Sequence, residues 1–195
     1  MYLTLSRNRS NKVRKTLAAS LGELAKVIGP ENARHDLIDV WRDAMQCNED
    51  GDIRVKAIET LPLFVKALGE GEGRSTIFSG LVKIWEEGWL RSWRSREGII
   101  KIVPDLVGAP TYPECVHRIL KWGLEDDFGA VREASISVVS RLCQCGITLP
   151  NAVQVTLMQR ENASWKPVLE RLRKDILELA YTSSFRKRMT YVARP

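Results

Sequence analysis

Four places in the chain carry the same short pattern, and that recurrence restricts the possible folds more than any other feature. Val13-Arg14, Ile53-Arg54, Ser95-Arg96 and Val131-Arg132 can be set in register, at separations of 40, 42 and 36 residues. Four residues further on lie Leu17, Ala57, Ile99 and Ser135. Eight on lie Leu21, Leu61, Val103 and Val139, and eleven on lie Leu24, Phe64, Leu106 and Leu142. These offsets trace one face of an α-helix. Arginine holds the second place in every copy, although it makes up only 19 of the 195 residues. No stretch of comparable length alternates with the period of two that a half-buried strand requires.

Between these B helices lie segments that read as partner A helices. His35–Cys47 carries Leu37, Ile38, Trp41 and Met45. Ser75–Glu87 carries Ile77, Phe78, Leu81, Val82 and Trp85, and Glu114–Leu124 carries Val116, Ile119, Leu120 and Trp122. A turn follows each: Asn48–Asp52, Glu87–Trp93 and Glu125–Gly129. Gly29-Pro30, Gly69–Gly73 and Gly108-Ala109-Pro110 stop three of the B helices. The unit is therefore helix, turn, helix, loop. One such unit cannot bury its apolar face alone, so units must stack.

A period near 40 residues is that of HEAT and armadillo arrays. The expected architecture is all-α: an α-solenoid of about five HEAT repeats, each an antiparallel helix pair, in a single array over residues 1–195. The units run roughly over 1–29, 30–69, 74–108, 111–146 and 165–195, the first and last partial, with an extra short helix near 149–160. Phe185-Arg186-Lys187-Arg188 repeats the form of Trp93-Arg94-Ser95-Arg96 and should open the last B helix. The pattern reads as a segment cut from a longer solenoid.

Composition excludes several function classes. The net charge is +6, and its basic residues are weighted to the two ends. Basic and aromatic residues do not interleave as they do on single-strand binders, so nucleic acid is not the expected partner. No run of 18 apolar residues provides a membrane span. Met1 to Lys15 lacks the apolar core of a signal peptide. Four cysteines, Cys47, Cys115, Cys143 and Cys145, fit a reducing compartment better than a disulfide framework, which points to the cytoplasm or nucleus.

Short motifs that mimic chemistry fail on context. Asp127-Phe128-Gly129 spells a kinase metal-binding triplet, but no His-Arg-Asp loop accompanies it. Gly69-Glu70-Gly71-Glu72-Gly73 lacks a following Gly-Lys-Ser/Thr, and its glutamates would repel phosphate. Cys143 and Cys145 form a lone C-x-C without the second pair that a zinc site needs. His35 reads as a helix-start residue and His117 as a helix-surface residue. Asp126 and Asp127 precede a B helix, where carboxylates support the helix dipole. No catalytic residue, metal site or cofactor site is expected, and the chain is read as no enzyme.

The repeated arginines have a structural reading. Arg14, Arg54, Arg96 and Arg132 lie in the first turn of each B helix, where the dipole disfavours a cation. Asp50, Asp52, Asp126 and Asp127 are placed to compensate, which would give a ladder of ion pairs between repeats. Trp93 and Arg94 precede the ladder position. Trp and Arg are the residue types most enriched at binding hot spots. Phe128 and the pair Phe185-Arg186 hold equivalent turns.

At these residues the chain resembles a known family. Ser92-Trp93-Arg94-Ser95-Arg96-Glu97 before a proline-containing apolar helix, and Trp122 through Ser135, resemble the later HEAT repeats of the protein phosphatase 2A scaffold family. Trp165-Lys166-Pro167-Val168 and Phe185 through Thr190 are similar to its following repeat. Lys12 through Ala18 and Glu23 through Gly29 look closer still to the C-terminal repeats of the protein phosphatase 4 regulatory subunit 1 family. Ser95, where that family usually has a branched residue, and the extra helix after Gly146 depart from the pattern.

The resemblance implies a non-catalytic regulatory or scaffold subunit whose turns hold a serine/threonine phosphatase catalytic subunit, of the protein phosphatase 4 or 2A kind. Further regulatory or substrate proteins would be additional partners. Carried over residue by residue, the contacts are Trp93 and Arg94, Asp127 and Phe128, and Phe185 and Arg186. The metal ions of the reaction would belong to the catalytic subunit. A karyopherin-like or other HEAT-repeat protein-binding adaptor is the competing reading.

Overall fold

A computed structural model describes residues 1–47, 51–69, 71–106, 112–145 and 166–178. Among these residues the regular structure is entirely helical, with no strand. The elements are α1 (Tyr2–Ser6), α2 (Asn11–Ile28), α3 (Pro30–Asp36), α4 (Ile38–Met45), α5 (Gly51–Glu59) and α6 (Leu61–Leu68). They continue as α7 (Glu72–Glu86), α8 (Trp93–Leu106), α9 (Pro113–Leu124), α10 (Gly129–Cys145) and α11 (166–178). The expected short helix near 149–160 and the expected last B helix from Phe185 lie outside the described residues. No described helix is long and apolar enough to cross a membrane.

Two compact units divide the chain, Met1–Ile102 and Val103–Pro195. In the first, α2 packs on both α5 and α6, α4 packs on α5 and α7, and α3 packs on α6. The repeat positions form its core. Leu17, Leu21, Ala57, Leu61, Phe64 and Ile99 are buried, while Leu24 is half-buried. Each fully buried Leu, Ile or Phe side chain contributes about 1.5–3 kcal/mol of transfer free energy.

Small residues let these helices approach. A Cβ on Gly22 of α2 would lie 2.8 Å from Leu63 of α6. One on Gly80 of α7 would lie 2.9 Å from the ring of Trp41 on α4.

Two helices differ from their expected form. The A helix anticipated over His35–Cys47 starts earlier, at Pro30, and is divided at Leu37 into α3 and α4. Proline supports a first turn because its missing N–H would have no partner there. The second B helix is divided at Thr60, before Pro62 in α6. That proline cannot donate to the carbonyl four residues back, so the helix cannot run on unbroken. The Thr60 hydroxyl donates across to the Ala18 carbonyl of α2 at 3.1 Å and stitches the break to its neighbour.

In the second unit α9 packs on α10. Val116, Ile119, Leu120 and Leu124 of α9 are buried, as are Val131, Ser135 and Val139 of α10. On α11, Val168, Leu172 and Ile176 are buried at a four-residue spacing, one face of a helix. Polar pairs join α11 to α9: Arg171 with Glu114, and Asp175 with His117 at 2.9 Å and with Lys121 at 3.4 Å.

Candidate partner-binding turns

Each repeated arginine is the fourth residue of its helix: Arg14 in α2, Arg54 in α5, Arg96 in α8 and Arg132 in α10. Three of them fold back onto the turn they have just left. Arg54 Nε donates to the Met45 carbonyl and its Nη2 to the Cys47 carbonyl, both at 2.7 Å. Arg96 Nη1 donates to the carbonyls of Leu90 at 2.7 Å and Arg91 at 3.1 Å. Arg132 Nη1 donates to the Asp126 carbonyl at 2.7 Å. Arg14 bonds the Asn11 side chain.

These acceptors differ from the carboxylates anticipated for Arg54 and Arg132, and the reason is electrostatic. The last carbonyls of an α-helix have no partner within the helix and carry the negative end of its dipole. Met45 ends α4, so the Arg54 cation, disfavoured at the start of its own helix, is favoured at the end of the preceding one; the Leu90, Arg91 and Asp126 carbonyls lie past the ends of α7 and α9. The planar guanidinium can satisfy two such carbonyls together, which an ammonium cannot do in one fixed fork. Burial lowers the Arg54 pKa from the ordinary arginine value; Cys47 opposes the fall and Arg91 adds to it.

The acids have other partners. Asp52 of α5 accepts from Lys15 of α2 at 2.5 Å, and that hydrogen bond holds its pKa below the usual carboxylate value. The pair is exposed, so it aligns the two helices more than it stabilises them. The Asp126 carboxylate accepts the Phe128 backbone N–H at 2.9 Å and closes the turn before α10. Asp50 lies outside the described residues.

Trp93 and Arg94 open α8 at the outer edge of this bonding. Trp93 is half-buried and Arg94 exposed, and the Arg94 guanidinium sits 4.7 Å from the Trp93 ring centroid. That stack preorganises a flat aromatic and cationic surface at the helix start. In the second unit Asp127 is exposed, and Phe128 is 47% exposed, one of few large apolar side chains so open. Phe185 and Arg186 lie outside the described residues.

Ser95 separates Arg94 from Arg96 and is fully buried, with no hydrogen-bond partner for its Oγ. A buried hydroxyl without a partner costs about 1–3 kcal/mol. Ser95→Ala is therefore expected to stabilise the protein by about 1 kcal/mol, read as a higher urea midpoint at an unchanged slope. A lower midpoint would show that the hydroxyl contributes favourably.

The two histidines are paired rather than clustered. His35 meets Asp36 at 2.7 Å on the surface, whereas His117 meets Asp175 at 2.9 Å with only 13% of its side chain exposed. Sequence reasoning placed His117 on a helix surface and missed this pair; 58 residues separate the partners, and no local pattern joins them. Among the described residues no group of three His, Cys, Asp or Glu side chains is placed to hold a metal ion. No family model matches the sequence, and no curated protein matches it.

Proposed function

We propose that this chain is a non-catalytic scaffold, an α-solenoid of about five HEAT repeats, that holds a serine/threonine phosphatase catalytic subunit through its turns. The observation that carries the reading is the stacked pair Trp93 and Arg94 at the start of α8. Arg96 meets the structural need of that turn by taking up its carbonyls. The stacked pair, with Trp93 half-buried and Arg94 exposed, belongs to the Trp-Arg-x-Arg-Glu motif through which the chain resembles the phosphatase scaffolds. Phe128, exposed in the turn before α10, is a second anchor of the same kind. Function is positioning: the scaffold supplies aromatic and cationic anchors, and the bound subunit supplies metal ions and hydrolysis.

Trp93→Ala combined with Arg94→Glu tests the reading. Co-purification of a phosphatase catalytic subunit of the 2A or 4 kind should fall at least about tenfold, as for loss of a hot spot, with the helical circular dichroism spectrum kept. Undiminished capture would remove these residues from the interface. Capture of a transport GTPase in place of a phosphatase would favour the adaptor reading.

A further inference from the structure

We infer that Ser10 is a phosphorylation site for an arginine-directed serine/threonine kinase. Such kinases read a charge pattern: carboxylates in the cleft pair with an arginine three residues before the acceptor hydroxyl. Arginine stands three residues before a serine or threonine at two places in the chain, Arg7 before Ser10 and Arg132 before Ser135. The structure separates the two. Ser135 is fully buried in α10, and its hydroxyl donates to the Val131 carbonyl at 2.8 Å. Arg132 is itself buried and bonded to the Asp126 carbonyl. Neither can enter an enzyme cleft while α10 stays folded. Ser10 is exposed, and its side chain makes no capping bond to α2.

The chain around Ser10 suits such a cleft. Residues 7–10 connect α1 to α2, and the Ser10 backbone is already extended, at φ −80° and ψ 116°. Exposed connecting segments are where enzymes that act on a chain gain access. α1 is five residues long and buries none of them, so drawing the segment out takes no buried side chain of α1 from the core. Arg7 is 69% exposed and pairs with Asp43 at 3.2 Å, a surface contact that a competing carboxylate exchanges at little cost. Arg9 and Lys12, both exposed, flank the serine, and residues 1–22 hold no Asp or Glu. An acidic cleft is therefore attracted along this stretch of chain.

The step is phosphoryl transfer. The Ser10 hydroxyl oxygen attacks the γ-phosphorus of ATP, an O–P bond forms, and the bond from that phosphorus to the β–γ bridging oxygen breaks. ADP leaves, and the hydroxyl proton passes to a carboxylate of the kinase. Ser10 lies outside the turns assigned to the phosphatase, so the inference stands apart from that function.

The test incubates the intact folded chain with magnesium-ATP and the catalytic subunit of cyclic-AMP-dependent kinase, an arginine-directed enzyme. Peptide mass spectrometry then locates the phosphate. Ser10 should approach full modification and Ser135 should stay unmodified. Ser10→Ala should remove the incorporation, and Arg7→Ala, at an exposed side chain, should slow it at least about tenfold. Casein kinase II, which is directed by acidic residues, should leave Ser10 unmodified. No phosphate at Ser10 while an arginine-containing control peptide is consumed would overturn the inference. So would equal rates for the parent and Arg7→Ala, or modification of Ser135 ahead of Ser10.

Discussion

Arg54→Met is expected to lower the folding stability by about 2–4 kcal/mol. The side chain is only 4% exposed, and its two bonds to the Met45 and Cys47 carbonyls are both 2.7 Å long. A hydrogen bond to a charged group contributes about 1.5–3 kcal/mol, and loss of the donor leaves two carbonyls at the end of α4 without it. Relief of the burial cost of the guanidinium offsets part of that loss. Arg54→Lys should recover only part, because an ammonium cannot reproduce the fork. Urea unfolding followed by circular dichroism reads the change. A loss no larger than that of Arg9→Met, an exposed substitution expected to stay within about 0.5 kcal/mol, would contradict the carbonyl-tying role.

Gly80→Val should cost about 2–4 kcal/mol through overpacking. Its first added carbon would lie 2.9 Å from one ring atom of Trp41 and 3.1 Å from the next. Trp41 is 1% exposed and fixed among core side chains, so the ring cannot swing away at low cost. Alanine at this place gains helix propensity of about 0.5–1 kcal/mol over glycine, yet it meets the same ring, so Gly80→Ala should still destabilise. The thermal midpoint of each variant checks this. A Gly80→Ala protein more stable than the parent would show that α4 and α7 can separate freely at this contact.

The helices were legible in the sequence because their information is local. Residues at offsets of four and eight from each arginine pair, apolar in all but Ser135, mark the buried faces, and the arginine marks the fourth residue of its helix each time. The division at Thr60 follows from Pro62, a visible signal, whereas the division at Leu37 has no such marker. The acceptors of Arg54 and Arg132 were not legible, since a backbone carbonyl has no residue-type signature, whereas the nearby aspartates do. The contacts of α11 with α9, including His117 with Asp175, join segments far apart in sequence, which periodicity cannot reveal. Trp93 and Arg94 were legible as residue types of binding hot spots, whereas their stacking on one another was not.

As the scaffold proposed above, the chain would bind a phosphatase catalytic subunit and catalyse nothing itself. The most direct test mixes the purified chain with a purified catalytic subunit of the protein phosphatase 4 or 2A kind and follows both by size-exclusion chromatography with light scattering. Co-elution as a one-to-one complex is expected, with phosphatase turnover found only where the catalytic subunit is present. Separate elution of the two proteins at micromolar concentration, or turnover by the chain alone, would contradict it.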